Sequence, residues 1–413
     1  KKRPILINNW EATYFDFNTD KLLAIAREAK SCGIEMLVMD DGWFGVRNSD
    51  NCSLGDWKVN TDKITGGLKH LVDEVNKIGL QFGIWFEPEM ISPDSDLYRA
   101  HPDWILQTPQ RHSCHGRNQY VLDFSRKEVV DCIYEMMYKI LSEAKVSYIK
   151  WDMNRSITEC YSAALPADRQ GEVFHRYILG VYDLYERLNT AFPQILFESC
   201  ASGGGRFDPG ILYYAPQGWT SDDTDAAERV KIQYGTSMCY PVSSMGSHVS
   251  VVPNHQLNRK TPLHTRANVA YFGTFGYELD LNKLSDEEIS EVKQQITFMK
   301  EYRELIQFGT FYRLKSPFEG NETAWMTVSE DKKTALVFWY RERNVVNADF
   351  TRVRLQGLDP DFIYRNEYNG TENYGDELMN LGLLTTDCTA GEPTSEDEPC
   401  TDYESRIYVL TAK

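Results

Sequence analysis

Lys150-Trp151-Asp152-Met153-Asn154 follows directly on the apolar positions Val146, Tyr148 and Ile149. A short apolar run with alternating character predicts a buried β-strand, and Asp152 then stands bare at its carboxyl end. Lys150 lies two residues before Asp152, so on a strand the two point to the same side. A carboxylate flanked by an ammonium, an indole and an amide is poorly placed for packing. At the carboxyl end of a (β/α)₈ barrel strand it is well placed for chemistry, because that end of the barrel carries the reactive loops.

Four more apolar segments end the same way. Residues 34–39 run into Asp40-Asp41-Gly42-Trp43, and residues 80–84 into Trp85-Phe86-Glu87-Pro88-Glu89. Residues 195–197 run into Glu198-Ser199-Cys200 and then Gly203-Gly204-Gly205, and Gly218-Trp219-Thr220-Ser221 precedes Asp222-Asp223-Thr224-Asp225. A single acid or serine at such a place is commonly a helix N-cap. Capping explains five together poorly, because Trp43, Trp85, Trp151 and Trp219 adjoin the acids. Aromatic faces beside carboxylates and amides suit a sugar, whose C–H face is apolar and whose rim is hydroxyls.

Helical stripes separate these segments. Residues 20–30 carry Leu22, Leu23, Ile25, Ala26 and Ala29, with Gly33 as a C-cap candidate; Leu68, Leu71, Val72 and Val75 are followed by Gly79. Further stripes cover residues 129–141 and 177–188. Strict alternation of strand and helix means parallel strands with crossover helices. Candidate strands start near Ile5, Ile34, Leu80, Val146, Ile195, Gly218, Pro241 and Ala267, the last two weakly patterned and placed to complete a barrel of eight. After about Leu305 the helical pattern gives way to β-rich segments at 323–329, 334–340, 351–355 and 406–411, with turn signals at Glu330-Asp331 and Asn369-Gly370. The expected architecture is α/β: a (β/α)₈ TIM barrel over residues 1–310, then a small C-terminal antiparallel β-sandwich domain over 311–413.

The 413 residues, 42% hydrophobic and 25% charged, leave material for such a core. A net charge of −17 argues against nucleic-acid or anionic-membrane partners, which call for basic patches. No apolar run has the length of a membrane span, and no signal-peptide pattern is present. Nine irregularly spaced cysteines without a CxxC pair favour free thiols and a cytoplasmic setting; Cys388 and Cys400 are the pair left open. The acidic stretch 394–398 reads as a solvated loop. Eight scattered histidines, His248, His255 and His264 among them, give no metal signature. Gly203-Gly204-Gly205 lacks the lysine and spacing of a nucleotide cradle, so no cofactor is expected; the triplet lets backbone approach a ligand or makes a turn.

Glycoside hydrolysis fits this inventory, since it needs two carboxyl groups flanking an anomeric carbon, one ionised and one protonated. The ammonium of Lys150 is expected to hold Asp152 ionised as nucleophile. Asp222, close to Asp223 and Asp225, is expected to be raised by like charges and to serve as acid. Exchanging the two roles satisfies composition equally well.

The stretch Lys150-Trp151-Asp152-Met153-Asn154-Arg155, together with Asp40-Asp41-Gly42-Trp43, Trp85-Phe86-Glu87-Pro88-Glu89-Met90, Cys200-Ala201-Ser202-Gly203-Gly204-Gly205 and Trp219-Thr220-Ser221-Asp222-Asp223-Thr224-Asp225, closely resembles the α-galactosidases of glycoside hydrolase family 36. Met245-Gly246-Ser247-His248-Val249 and Pro253-Asn254-His255-Gln256 are similar to that family too. The resemblance implies a retaining exo-α-galactosidase that removes terminal α-1,6-galactose from melibiose- and raffinose-type sugars, without a cofactor. It makes Asp152 the nucleophile and Asp222 the acid/base, with carboxyl groups about 5–5.5 Å apart. Asp40 and Asp41 would bind hydroxyls around O4 and O6, and Lys150, Asn154 and Arg117 would add polar contacts. Trp85 would wall the sugar pocket, Trp10 would line its outer part, Trp219 would join the substrate-binding set, and Cys200 and Gly203 would face the 2-substituent. Sibling activities are α-N-acetylgalactosaminidase and raffinose-type galactosyltransferase. Bacterial members of the family carry an N-terminal β-sandwich that takes part in tetramer assembly. A chain beginning at the barrel therefore reads as a fragment of a homotetrameric parent, or as a catalytically incomplete galactoside-binding piece.

Overall fold

The computed structural model describes residues 2–346, 350–385 and 402–413; Cys388, Cys400 and the stretch 394–398 lie outside them. Eight strands close a barrel in chain order: β1 (Leu6–Asn8), β2 (Met36–Met39), β3 (Gln81–Phe86), β4 (Tyr148–Trp151), β5 (Leu196–Ser199), β6 (Gln217–Trp219), β7 (Met245–Ser250) and β8 (Thr274–Glu278). Strands β1 to β6 pair in parallel, with Trp85 opposite Lys150 and Lys150 opposite Glu198.

A helix follows each strand: α1 (Thr19–Cys32), α2 (Gly67–Ile78), α3 (Lys127–Glu143), α4 (Val173–Ala191), α5 (Pro209–Tyr214), α6 (Ala226–Thr236), α7 (Leu263–Ala270) and α8 (Asp286–Phe308). The expected C-caps are in place: Gly33 and Gly79 end α1 and α2 with φ of 96° and 97°, the left-handed geometry a side chain resists.

Period-two alternation sorts the side chains of β4. Trp151 turns outward and stacks on Tyr185 of α4, ring centroids 3.9 Å apart. Tyr148 turns inward and packs with Leu6, Met36, Val38 and Leu196. Lys150 and Asp152 follow Tyr148 on the inward side, so one strand builds both the barrel filling and the floor of the site.

Two expected strand positions are corrected. Pro241 precedes a 3₁₀ turn at Val242–Ser244, and β7 starts at Met245. Ala267 lies inside α7, and β8 starts only at Thr274. The run 267–272 is apolar at five of its six positions, and α7 buries Leu263, Ala267, Val269 and Ala270. Periodicity cannot separate a buried helix from a buried strand in so short a run.

The second sheet is antiparallel: β9 (Thr310–Lys315), β10 (Glu322–Val328), β11 (Thr334–Arg341), β12 (Ile363–Asn366), β13 (Glu372–Tyr374) and β14 (Glu404–Ala412), ordered β9-β10-β11-β14-β12-β13. One face, including Met326, Val337 and Trp339, packs on Val353 and Leu383 of a second, two-stranded sheet, which makes the sandwich. The segment 351–355 contributes only the two-residue strand Arg352–Val353, and the strands at 310, 363 and 372 carried no clear sequence pattern. Trp325 and Phe338 stack on the opposite face at 4.2 Å, with Phe272 edge-on to Trp325.

By internal contacts the chain forms two compact units. One holds residues 5–222 and 278–284; the other holds the N-terminal residues up to Pro4 with 223–277 and 285–413. Among the described residues no helix is long and apolar enough to cross a membrane.

Two helical glycines separate packing from propensity. A Cβ on Gly180 of α4 would stand 2.0 Å from the Phe124 carbonyl oxygen, whereas one on Gly235 of α6 meets nothing within 4 Å. Gly180→Ala is expected to destabilise by about 1–3 kcal/mol through overpacking. Gly235→Ala is expected to stabilise by roughly 0.5–1 kcal/mol through helix propensity. Calorimetric melting of both variants checks the pair; an unchanged Gly180→Ala would show that α4 can move off that carbonyl.

Candidate active site

Asp152 stands just past β4 with three N–H groups on its oxygens. The Trp85 indole Nε1 donates to Oδ2 at 3.0 Å, the Asn154 side-chain Nδ2 to the same oxygen at 2.8 Å, and the Met153 amide to Oδ1 at 2.9 Å. Trp85, expected to wall a sugar pocket, is 1% exposed and acts in this structure through that indole N–H.

Lys150 does not make its ion pair with Asp152, as expected from sequence, but with Asp40, whose Oδ2 it meets at 2.8 Å. Asn8 donates to the same oxygen at 2.6 Å. The reason is geometric: same-side residues on a strand are about 6.5–7 Å apart, so Lys150 lies one layer below Asp152 and faces the layer of Asn8 and Asp40. Burial opposes the Lys150 charge, but Asp40 foremost, then Cys200, Glu278 and Asp152, hold its ammonium well above the ordinary lysine range.

Asp41 takes the guanidinium of Arg47, Nε to Oδ1 at 3.1 Å and Nη2 to Oδ2 at 2.9 Å. Burial nevertheless pushes the Asp41 carboxyl up against the pull of Arg47. Arg47 continues to Asp50 at 3.6 Å, and Asp50 to Arg117 at 3.9 Å. Arg117 and Asn118 both have positive φ, 54° and 60°, an uncommon pair of left-handed residues that sets the turn presenting Arg117.

Asp222 carries the other carboxyl. Burial raises it to about 6, helped by the charges of Asp152 and Glu278 and resisted by Lys150 and Arg117. The direction agrees with the sequence expectation, but the leading like charge is Asp152. Asp225 instead caps α6, accepting from the amides of Ala227 and Glu228, and Asp223 accepts from the Asp225 amide. Just before Asp222, Ser221 forms a bridge with Gly203. A Cβ on Gly203, whose φ is +84°, would stand 2.4 Å from the Ser221 Cα, so this glycine admits the chain's own backbone. Burial, with Asp152 and Asp222, also pushes the Cys200 thiol well up, and its sulfur accepts from the Gly203 amide at 3.4 Å.

The tryptophans divide. Trp43 is fully buried among Phe44, Trp57 and Phe86 and donates to the Trp85 carbonyl, and Trp151 donates to Glu89. Both are core, contrary to the grouping of all four with the acids. Trp10 is partly exposed and meets Tyr14 and Phe15 edge-on at 5.2 Å, and Trp219 is buried at the end of β6. Among the described residues no group of His, Cys, Asp and Glu is disposed to hold a metal ion.

Residues 1–309 match the melibiase family model, and residues 322–410 match the model of the glycosyl hydrolase family 36 C-terminal domain. The chain belongs to glycoside hydrolase family 36. Alpha-galactosidase AgaA of Geobacillus stearothermophilus is 57% identical over 383 residues, 93% of this chain and 52% of the relative. Mel36A of Lactobacillus acidophilus is 56% identical over 381 residues, again 52% of the relative. The crystal structure of AgaA superposes with a TM-score of 0.95 at 54% identity, covering all of this chain and 56% of that one. This family 36 chain thus spans about half the length of the curated relatives it matches.

Several site residues of this family 36 chain were not singled out from sequence: Asn8, Arg47, Glu87 and Glu278. Glu278 ends an apolar run, Phe275-Gly276-Tyr277, as the other acids do, and was passed over because the eighth strand was placed too early. Glu87 lies within Trp85-Phe86-Glu87-Pro88-Glu89 and Arg47 four residues after Trp43, but nothing in the sequence says which acids they face. Gly203→Ala is expected to push the 203 and 221 segments apart and to destabilise the chain by about 1–3 kcal/mol, read by calorimetric melting. An unchanged melting temperature would show that the two segments can separate without consequence.

Proposed function

We propose that this chain is the catalytic part of a retaining exo-α-galactosidase, acting on terminal α-1,6-linked galactose in melibiose- and raffinose-type oligosaccharides. One observation carries the proposal: two carboxyl groups in unlike settings at barrel strand ends, Asp152 buried and gripped by three N–H donors, Asp222 half-buried and raised to about 6. Unlike environments for two acids are what assigns acid and nucleophile roles.

In the first step an Asp152 oxygen attacks the anomeric carbon while Asp222 gives its proton to the departing glycosidic oxygen. In the second, Asp222 takes a proton from water, the water oxygen attacks the same carbon, and Asp152 leaves as carboxylate. Two inversions return α-galactose. Asp40 and Asp41 would receive the hydroxyls around the axial O4 and O6, with Lys150, Asn154 and Arg117 adding contacts, Trp10, Trp85 and Trp219 shaping the pocket, and Cys200 and Gly203 facing the 2-position. Variants of one relative, AgaA of Geobacillus stearothermophilus, have been solved with raffinose, stachyose and 1-deoxygalactonojirimycin, which supports this substrate class. The barrel over 1–310 would do the chemistry and the β domain over 311–413 would accompany it, in a cytoplasmic, homotetrameric parent.

Asp152→Asn is expected to abolish turnover while leaving galactose binding largely intact. NMR of the first sugar formed by the unaltered chain from p-nitrophenyl α-galactoside is expected to show α-galactose; β-galactose would remove Asp152 from its role. Asp222 must be protonated to act as acid, so the rate on melibiose is expected to fall as pH rises through about 6. Asp222→Asn is expected to remove that limb and to spare p-nitrophenyl α-galactoside far more than melibiose, whose leaving group needs the proton. Equal losses on both substrates would count against Asp222.

A further inference from the structure

Beneath Asp152 lies a second carboxyl group that the proposed mechanism does not use. Glu87, two residues on from Trp85, is fully buried. Its Oε1 accepts from the Asn154 main-chain amide and from the Gln119 side-chain amide, the latter at 2.7 Å. Its Oε2 faces Asn154 Nδ2 at 3.2 Å. That same Nδ2 donates to Asp152 Oδ2 at 2.8 Å, and Asn154 Oδ1 accepts from Ser202 Oγ at 3.1 Å. Both hydrogens of the Asn154 amide are therefore taken, one by each carboxyl group, and its oxygen holds Ser202. Turning the amide over would set its oxygen against both.

We propose that Glu87 is a positioning residue for the nucleophile, fixing the Asn154 amide so that one of its hydrogens lies on Asp152 Oδ2. The inference rests on the reading of Asp152 as nucleophile and deepens it. The groups facing Glu87 are consistent with this part. Arg47 and the Asn154 and Gln119 donors favour its charged form, while burial and the Asp152 charge oppose it and raise Glu87 to about 8. Tyr177 of α4 also feels the Glu87 carboxyl. A carboxyl there accepts from Asn154 without competing with Asp152 as a nucleophile, because it is sealed from solvent.

The Glu87→Gln variant keeps size and reverses polarity at one atom. The glutamine oxygen can still accept from the Asn154 main chain, but its NH₂ meets the Asn154 NH₂, donor against donor, and the amide must rotate off Asp152. Expected is a fall in kcat toward p-nitrophenyl α-galactoside of up to about 100-fold with KM little changed, since the loss falls on the reacting geometry. In an Asn154→Ala background the same Glu87→Gln change is expected to cost little more, because the residue it acts through is gone. Undiminished kcat in Glu87→Gln, or the same fold-loss in both backgrounds, would overturn the inference. So would Asn154→Ala at the wild-type kcat, a change that removes no buried charge and holds the test even where Glu87→Gln folds poorly. A wild-type chain without any α-galactoside turnover is a different failure, that of the functional reading itself, and the inference falls with it.

Discussion

Lys150 and Asp40 meet at 2.8 Å in the barrel interior, and neither could remain charged there alone. The pair joins β4 to the end of β2 past the intervening β3, and Asn8 from β1 completes the shell of Asp40. Removing one partner of such a buried pair typically costs about 3–5 kcal/mol, because the other is left uncompensated. The pair also sets the height of everything above it. With Lys150 committed to the layer of Asn8 and Asp40, Asp152 stands one layer higher, and its oxygens are left to the neutral donors Trp85, Asn154 and Met153.

Acids outnumber cations around this pair. Asp40, Asp41, Glu87, Asp152, Asp222 and Glu278 face chiefly Lys150, Arg47 and Arg117. In a buried setting such an excess favours the protonated form of the carboxyls. Burial pushes Asp41 up even against its two-pronged guanidinium, and it raises Glu87 to about 8 and Asp222 to about 6. Of these two, Glu87 is sealed from solvent, whereas Asp222 is partly exposed just past the β6 strand end. The distribution of protons follows from burial and from the partners each acid keeps.

Much of this was legible along the chain. Period two placed Lys150 and Asp152 on one side of β4, and Gly33 and Gly79 marked helix ends because only glycine takes those φ values freely. The repeated ending of apolar runs in acids marked the carboxyl ends of barrel strands, where Asp40, Asp152 and Glu278 stand. What escaped the sequence was pairing across distance. The Lys150 partner lies 110 residues away, and local order made Asp152 the obvious candidate. Asp223 and Asp225 were credited with raising Asp222 because they are adjacent, although the leading charge is 70 residues upstream. The tryptophans make the same point: Trp43 and Trp85 both adjoin acids, yet one fills the core and donates to a carbonyl while the other donates to Asp152. Local composition shows that an indole is near an acid; only the fold decides which way its N–H points.

The two central carboxyls are held by different means, and the difference suits their proposed roles. Asp152 is fixed through its own oxygens by three N–H groups, one of them from an amide braced in turn by Glu87 and Ser202. A nucleophile must reach one carbon along one line, so restraint on the oxygens themselves is what accuracy requires. Asp222 is positioned from behind, by a backbone bridge between Gly203 and Ser221 that tolerates no Cβ. Anchoring the chain just before the carboxyl suits a group proposed to address a glycosidic oxygen in one step and a water in the next. The glycine loop thus serves the proposed acid/base, and the paired motifs Trp85 to Glu87 and Asp152 to Asn154 serve the proposed nucleophile. That division explains why the acids sit within runs of tryptophan, glycine and amide residues rather than standing alone at their strand ends.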